Sequence, residues 1–341
     1  MSFWKGADLV NPCFSVAMCT FNGAKFLHEQ LSSIAAQSVP VQEIVICDDC
    51  SEDETCTIIE SFCRQHPGLI RLHRNSTRLG VSQNFAQAIS LCRGDIIFLS
   101  DQDDRWLPTK VQRMAALFAS DPQCDVVSVA ATVTDINLKP TGKTVSAMFQ
   151  TLDEKPSTFS ARIHQSSAFG CTLAFRASLG PLIFPISPHW GHDNWICFIA
   201  SRFTQIRGIE EPLMLYRRHR DAAGMHDKLD FGYFGQLVAA AKRSKRIDYE
   251  HDLQKWQDMK QQLIRIFENN SMNSFWHGIL GSKDAILDEV QARLEFSKRR
   301  LNIVARTRPL RLGPALRVFL AGQYAEFASG WKSFVRDLFI A

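Results

Sequence analysis

The sequence lacks the signatures of several common protein classes. It contains no G-x-G-x-x-G turn and no G-x-x-x-x-G-K-[ST] loop, so the usual dinucleotide-binding and P-loop classes lose their main support. No uncharged apolar segment reaches the about 20 residues that a bilayer-spanning helix needs, and the segment Ala177–His192 is interrupted by prolines. The first residues show no basic segment followed by a long apolar run, so we expect no signal peptide.

Cysteine pairs at metal-binding spacing are also scarce. The ten cysteines are scattered through segments with strand and helix patterns, where we interpret them as small core residues. Cys47 and Cys50 form the one suggestive pair, but no second C-x-x-C or H-x-x-x-H follows at zinc-finger spacing, which disfavours zinc. Together with the expected lack of a signal peptide, these cysteines predict a reducing, cytoplasmic setting.

The net charge is only +4, but it is unevenly distributed. Residues 231–341 hold 18 Lys and Arg against 11 Asp and Glu, which leaves the first 230 residues slightly acidic. Within the basic part, Lys298–Arg317 contains seven basic residues and no acidic one. Such a segment is typical of peripheral contact with an anionic membrane, and equally of a solvated helix face that packs on the rest of the chain. We expect no nucleic-acid partner, because no recognised binding motif is present.

Short apolar runs alternate with amphipathic stretches through the first half of the chain. Strands are predicted at Phe14–Cys19, Glu43–Cys47, Leu69–His73, Asp95–Ser100 and Asp125–Val133. Helices are predicted at Lys25–Gln37, from a capping box that begins at Ser51, at Val81–Cys92, and from Pro108 to about Ser120. This β-α repetition predicts an α/β fold, with a mostly parallel sheet covered by helices on both faces.

The pattern changes in the second half. Residues 134–163 have no clear period and are interpreted as a long functional loop that could contain one short strand. Further strands are predicted at Cys171–Phe175 and Glu211–Tyr216, with a helix at His192–Ser201 between them. The last helices are predicted at Tyr233–Arg243, Tyr249–Phe267 and Lys283–Val304. We therefore expect one α/β domain over residues 1–228 and a helical, basic C-terminal region over residues 229–341.

Polar residues follow three of the predicted strands, at the carboxyl ends where open parallel sheets bind ligands. They are Thr20-Phe21-Asn22-Gly23, Asp48-Asp49-Cys50-Ser51 and Asp101-Gln102-Asp103-Asp104. Five carboxylates at two strand ends repel one another unless a cation or hydrogen-bond donors compensate them. The D-x-D spacing of hard oxygen ligands favours Mg²⁺ or Mn²⁺. The alternative is that these acids cap the helices that follow.

Four segments, in this order, resemble the family 2 glycosyltransferases of the GT-A fold. They are Ser15–Asn22, Ile46–Ser51 with Asp53, Asn75–Gly80 with Asn84, and Gly94–Pro108. The resemblance covers about residues 13–220 and is strongest to the bacterial rhamnosyltransferase-type members that build surface polysaccharides such as O-antigen. It implies a Rossmann-like GT-A domain, a nucleoside-diphosphate sugar donor linked to UDP or dTDP, and Mn²⁺ or Mg²⁺ as cofactor.

The resemblance also implies roles for individual residues. Binding of the donor nucleotide and its diphosphate is assigned to Cys19, Thr20, Asn22, Asp48, Asp49, Gly80, Asn84, Asp101, Arg217 and Arg218. Binding of the metal is assigned to Asp101, Asp103, Asp104 and His219. Asp193 stands at the position of the catalytic base, whereas His192 occupies the position where the family commonly has Glu.

The reaction implied by this resemblance is a metal-dependent, inverting transfer of a hexose, with rhamnose as a candidate. The acceptor would be a glycan or a lipid-linked glycan at the inner face of the cell membrane. Two other functions stay open: a non-catalytic glycan- or membrane-binding protein that retains the fold, and a nucleotidyltransferase or sugar-nucleotide hydrolase. Asp193 could also serve only as a helix cap, and Arg217–His219 could form a solvated basic turn.

Overall fold

The computed structural model describes residues 12–146, 169–219, 246–269, 282–328 and 330–339. These residues belong to two compact units, one that extends to His219 and one that begins at residue 246. The predicted domain boundary at residue 228 and the predicted helix Tyr233–Arg243 lie outside the described residues.

Strands and helices alternate in the N-terminal part of the first unit, as the apolar periodicity predicts. Its strands are β1 (Phe14–Thr20), β2 (Glu43–Asp48), β3 (Ile70–Arg74), β4 (Ile96–Ser100), β5 (Arg105–Trp106), β6 (Cys124–Thr134), β7 (Pro140–Val145), β8 (Leu173–Arg176) and β9 (Gln205–Arg217). Its helices are α1 (Ala24–Ala35), α2 (Thr55–Gln65), α3 (Val81–Leu91), α4 (Lys110–Ser120), α5 (Gly180–Ile183) and α6 (His192–Phe203).

These strands form one sheet in the order β3-β2-β1-β4-β8-β6-β9-β5, and β7 pairs with β6. The first four strands are parallel, which confirms the predicted α/β class. The other half is mixed, because β8 runs antiparallel to both β4 and β6 while β6 and β9 are parallel. Apolar periodicity identifies a strand but not its direction, so this mixture could not be deduced from the sequence pattern.

Helices cover both faces of the parallel half of the sheet. Helix α1 buries Leu27, Leu31 and Ile34 in a core that also contains Val16 and Met18 of β1. Successive side chains of a strand point to opposite faces, so every second residue of β1 faces α1. Helix α3, which contacts β1 and β2, buries its own apolar set, Phe85, Ala88 and Ile89. Almost all of β1 is therefore buried, as the apolar run predicts.

The predicted capping box at Ser51 is wrong. Helix α2 begins at Thr55, and its N-terminus has no side-chain cap. The Ser51 hydroxyl instead donates to Oδ2 of Asp48 at 2.6 Å and accepts from the Asn22 backbone N–H at 2.9 Å. The hydroxyl is thus used to join the loops that follow β1 and β2 rather than to begin a helix.

The second unit is helical, as predicted. Its helices are α7 (Arg246–Glu268), α8 (Lys283–Val304), α9 (Leu312–Leu320), α10 (Gln323–Phe327) and α11 (Trp331–Phe339). Arg300 and Asp337 form a buried ion pair at 2.7 Å, and the hydroxyls of Tyr249 and Tyr324 both donate to Asp337 at 2.8 Å. Among the described residues, no helix has the length and apolar content needed to cross a bilayer.

Candidate active site

The loops that follow β1, β2 and β4 meet at one edge of the parallel half of the sheet. Strand β1 lies between β2 and β4, so the chain leaves β1 toward one side and later returns on the other. In open α/β sheets this change of direction opens a crevice at the carboxyl ends of the strands, and ligands bind there. The polar residues singled out in the sequence therefore lie at the expected ligand-binding edge.

Gln102, which sequence reasoning overlooked, fixes the loop after β1. Its side-chain oxygen accepts from the Phe21 N–H at 2.9 Å, and its side-chain nitrogen donates to the Phe21 carbonyl at 3.0 Å. A Cβ atom at Gly23 would lie 2.1 Å from Oε1 of Gln102, so this close approach requires glycine. The middle residue of the D-x-D segment thereby connects β4 to the loop after β1.

Asn22 and Asp48 join the loops after β1 and β2. Asn22 adopts a positive φ of 47°, and its side-chain oxygen accepts from the Glu52 N–H at 2.9 Å. The Asp48 carboxylate is 2% exposed and accepts from the Thr20 hydroxyl at 2.7 Å and from the Ser51 N–H at 2.9 Å. Asp48 and Thr20 therefore shape the site through bonds within the protein.

Asp49 organises the loop that precedes α3. Its carboxylate, 4% exposed, accepts from the backbone N–H groups of Leu79 at 2.7 Å and Gly80 at 2.9 Å, and from the Asn75 amide at 2.9 Å. Asn84 is 1% exposed and donates to the Cys47 carbonyl at 2.8 Å. The sequence-predicted residues Asp49, Gly80 and Asn84 are thus brought together by one hydrogen-bonded network.

Cys19, at the end of β1, is paired in register with Cys47 of β2. Burial, followed by the nearby Cys47, raises the pKa of the Cys19 thiol well above its ordinary value. The thiol is therefore neutral at physiological pH. All ten cysteines are free thiols. Cys47, Cys124, Cys171 and Cys197 are buried, as their interpretation as core residues predicts, whereas five others are half-buried and Cys13 is exposed.

Three carboxyl groups crowd together after β4. Burial, then the neighbouring Asp103 and Asp193, raises the pKa of Asp101 to about 7. Burial and the same crowding raise the pKa of Asp104 well above its usual range. Asp104 is fully buried, its Oδ1 accepts from the Arg217 N–H at 3.0 Å, and its Oδ2 has no hydrogen-bond partner among the described residues.

Two further residues, missed by sequence reasoning, border this acidic cluster. One carboxylate oxygen each from Asp101 and Asp104 and the Cys171 sulfur lie within 4.8 Å of one another. The Lys110 ammonium is fully buried and donates to the Cys171 carbonyl at 2.7 Å. Burial lowers the pKa of Lys110 to about 8, against the opposing effect of the neighbouring acidic groups. Lys110 therefore supplies part of the positive charge that such a cluster requires.

The chain segment after β9 contacts the same cluster. His219 places its Nε2 atom 2.9 Å from Oδ2 of Asp103, and its ring packs against Phe26 at a centroid distance of 4.8 Å. Buried carboxylates with raised pKa values, an Asp104 oxygen without a partner, and an imidazole together make a suitable ligand set for Mn²⁺ or Mg²⁺. The donor atoms of the described residues thus fit the divalent cation implied by the resemblance.

Arg217 differs from its predicted role. Its side chain is 3% exposed, and its guanidinium donates to the Asp103 carbonyl at 2.7 Å, to the Ile136 carbonyl and to the Glu29 carboxylate. These bonds fasten β9 to the acidic loop and give Arg217 a structural part in the site. Arg218 is half-buried, and its backbone N–H donates to the Thr134 carbonyl at 3.0 Å.

Asp193 lies in the first turn of α6, half-buried and near enough to Asp101 to raise the pKa of that carboxyl. Its Oδ1 accepts from the Asn194 N–H at 2.7 Å. A carboxylate at this end of a helix is stabilised by the helix dipole. Because its carboxylate remains partly exposed, Asp193 is accessible to a substrate as well as to the helix.

His192 is a packing residue rather than a second acid. Its ring stacks on Phe85 at a centroid distance of 3.9 Å and an interplanar angle of 15°, and it is 6% exposed. Burial lowers the pKa of His192, so the imidazole is neutral. A Cβ atom at Gly170 would lie 2.7 Å from its Nε2, which explains glycine at that position.

Comparison with known proteins points to one family. Residues 15–179 match the family described as Glycosyl transferase family 2. An uncharacterized glycosyltransferase of Nostoc sp. is 29% identical over 213 residues, which cover 60% of this chain and 64% of that protein. The dTDP-rhamnosyl transferase RfbG of Shigella flexneri is 36% identical over 99 residues, 28% of this chain and 34% of that protein.

The fold is also similar to that of a solved structure. The crystal structure of S. aureus TarS 1-349 in complex with UDP-GlcNAc has a TM-score of 0.55 and 20% identity, and the match covers 94% of this chain and 90% of that chain. At this identity the likeness shows the GT-A fold alone. The chain spans less than two thirds of the length of the curated relatives named above.

Proposed function

We propose that the chain transfers a hexose from a nucleoside-diphosphate sugar to a hydroxyl acceptor, with inversion, a function supported by the match of residues 15–179 to Glycosyl transferase family 2. The observation that carries this proposal is the acidic cluster Asp101, Asp103 and Asp104, which adjoins both His219 and Asp193. The proposed donor is a UDP- or dTDP-sugar, with rhamnose as a candidate. The similarity to RfbG, named a dTDP-rhamnosyl transferase, and to TarS, solved with UDP-GlcNAc, supports both nucleotides.

The proposed metal ligands are Asp103 and His219, with Asp101 and Asp104 beside them. When bound, Mn²⁺ or Mg²⁺ supplies positive charge that stabilises the departing diphosphate. The protein prepares the position in two ways. The Arg217 N–H holds one oxygen of Asp104, and the Arg217 guanidinium holds the Asp103 carbonyl. The carboxylates are thereby fixed before any ligand arrives, which reduces the reorganisation that binding requires.

Asp193 is the proposed general base. Its carboxylate would accept the proton of the acceptor hydroxyl as that oxygen attacks the anomeric carbon, a contribution typically worth 10²–10⁴-fold in rate. The Asn194 N–H holds Oδ1, so the other carboxylate oxygen is available to the acceptor. One base and one displacement at the anomeric carbon lead to inversion. A glycosidase would instead require a second carboxyl group acting as acid or nucleophile.

The loops after β1 and β2 are the proposed surroundings of the base and ribose. Cys19, Thr20 and Asn22 end or follow β1, and the Asp48 and Asp49 carboxylates hold the neighbouring loops in place. Arg218, which follows the structural Arg217, is the proposed cation for the diphosphate. The proposed acceptor is a glycan or lipid-linked glycan in surface polysaccharide synthesis, on the cytoplasmic side of the membrane.

Donor turnover tests this proposal. The purified chain would be incubated with Mn²⁺, a panel of UDP- and dTDP-hexoses and a mixture of glycan acceptors, and released nucleoside diphosphate would be measured for the wild type and for Asp193→Asn. We expect release with one donor class, and much slower release by the variant. Equal release without the acceptors, together with free hexose, would instead indicate a sugar-nucleotide hydrolase. Release of pyrophosphate from a nucleoside triphosphate and a sugar 1-phosphate, supplied in a parallel reaction, would instead indicate a nucleotidyltransferase. Tight nucleotide binding without release from any donor would indicate a non-catalytic protein.

A further inference from the structure

Helix α9 exposes an apolar stripe in addition to the face that it buries. Ala315 and Val318 are buried in the core of the second unit. Four large apolar residues of the same helix are instead exposed: Leu312 by 55%, Leu316 by 42%, Phe319 by 38% and Leu320 by 75%. At about 100° per residue, these four positions span an arc of roughly 100°, adjacent to the buried face. One apolar face is enough to pack a helix on a core, and α9 uses Ala315 and Val318 for this purpose. The exposed apolar face formed by the other four residues therefore needs another explanation.

Large apolar side chains are also exposed outside α9. Leu310, just before the helix, is 63% exposed, and Trp331 and Phe339 at the two ends of α11 are 52% and 63% exposed. The rings of Phe319 and Phe334 pack at a centroid distance of 4.8 Å, so α9 and α11 are neighbours. Large exposed apolar areas of this kind mark interaction surfaces in soluble proteins. We call Leu310, Leu312, Leu316, Phe319 and Leu320 the α9 surface.

Positive charge borders the α9 surface. Arg306 and Arg308 precede the helix, Arg317 lies within it, and all three are exposed. None of the three guanidinium groups has an ion-pair partner among the described residues. The sequence contains no acidic residue from 296 to 325. Two copies of such a surface would repel each other electrostatically, which disfavours self-association as the explanation.

We propose that the α9 surface lies on an anionic lipid bilayer, with its leucines and Phe319 in the interface and its arginines at the headgroups. Leucine and aromatic residues on one side of a helix, bordered by arginine, are the composition of helices that lie in the plane of a membrane. Each basic residue near an anionic surface adds to the attraction. The proposed association is peripheral, with α9 lying in the plane of the interface.

Cosedimentation of the full chain with vesicles tests the proposal. One vesicle type contains phosphatidylcholine alone, and the other contains phosphatidylcholine with phosphatidylglycerol. The wild type should bind the anionic vesicles, with affinity that falls as salt is raised, and should bind the neutral vesicles at least tenfold more weakly. Equal binding to both vesicle types, or binding to neither, would overturn the proposal.

Two variants divide the interaction into its parts. Leu312→Gln with Leu316→Gln and Leu320→Gln removes apolar contacts from exposed positions, so the fold is retained while vesicle binding falls at least tenfold. Arg306→Gln with Arg308→Gln and Arg317→Gln should weaken binding to anionic vesicles by about a hundredfold. The matched control is Leu91→Gln with Arg93→Gln, at exposed positions of the first unit, and should bind like the wild type.

The competing occupant is a second copy of the chain. If self-association covered the α9 surface, light scattering without lipid would show a dimer of the wild type and a monomer of the leucine variant. That result would overturn the proposal. Unchanged vesicle binding by the leucine variant, with unchanged thermal unfolding, would also overturn it. The test uses no sugar donor, so its failure would leave the proposed transferase function as it stands.

Discussion

His219 and Asp103 meet at 2.9 Å between Nε2 and Oδ2, although 116 residues separate them in the chain. The contact joins the loop after β4 to the end of β9, the two segments that the Arg217 guanidinium also connects. Two independent links therefore close the acidic cluster on one side. The arrangement holds an imidazole and a carboxylate, the two proposed metal ligands, beside each other.

Replacement of Asp103 tests the proposed metal position. Asp103→Asn removes one negative charge and one ligand oxygen, so Mn²⁺-dependent nucleotide binding should weaken by at least tenfold, measured by calorimetric titration. Asp288→Asn, an exposed change on α8, is the control and should bind normally. Unchanged Mn²⁺ affinity in the Asp103 variant would remove this residue from the proposed metal site.

Metal binding should depend on pH around neutrality. Because the pKa of Asp101 is raised to about 7, the carboxyl is mostly protonated at pH 6 and mostly ionised at pH 8. A metal ligand must be deprotonated, so affinity for Mn²⁺ should rise by about tenfold over this interval. The expected proton release on binding can be measured by titration in buffers of different ionisation enthalpy. A flat profile from pH 6 to 8 would show that Asp101 does not take part.

Asp193→Asn separates catalysis from binding. The amide cannot accept the acceptor proton, so turnover should fall by roughly 10²–10⁴-fold. Donor affinity should stay close to that of the wild type, because the residue is not among the proposed nucleotide contacts. Parallel measurement of turnover and of nucleotide affinity distinguishes these effects. Near-normal turnover would assign the base to another residue.

Gly23→Ala tests the role of Gln102. The new Cβ would displace the Gln102 side chain and its two hydrogen bonds to Phe21, at a cost of about 1–2 kcal/mol in the free energy of unfolding. Nucleotide binding should weaken as well, because the loop after β1 loses its support. Gly313→Ala, where a Cβ meets nothing within 4 Å, is the control and should be neutral or slightly stabilising. Equal behaviour of both variants would contradict the proposed support by Gln102.

Local patterns predicted most strands and helices of the first unit, because buried strands and amphipathic helices leave periodic signals. The two-residue strand β5 and the single-turn helix α5 are too short to leave such a signal. The sequence also identified the D-x-D segment and Asp49 as candidate site residues, because each directly follows an apolar strand. The hydrogen-bond partners of individual side chains were less predictable. Ser51 has the sequence pattern of a helix cap, but its hydroxyl donates a hydrogen bond to Asp48. Arg217 was predicted to bind the diphosphate, but its guanidinium donates a hydrogen bond to Glu29.

Those outcomes depend on contacts between distant segments, which no local pattern encodes. Gln102 lies inside the recognised D-x-D segment, yet its function appears only when Phe21, 81 residues away, is brought beside it. Lys110 and Cys171 reach the acidic cluster from α4 and from the turn before β8. The antiparallel placement of β8 brings that turn to β4, and strand direction has no signature in apolar periodicity.

The proposed function requires a nucleoside-diphosphate site that depends on a divalent cation. Thermal unfolding of the purified chain with UDP, dTDP, GDP or CMP, each with and without Mn²⁺, tests it most directly. A ligand at 100 times its Kd adds about 2.7 kcal/mol of stability, enough to raise Tm by roughly 5–10 °C. We expect such a rise with UDP or dTDP only when Mn²⁺ is present. No rise with any nucleotide, or an equal rise without the cation, would contradict it.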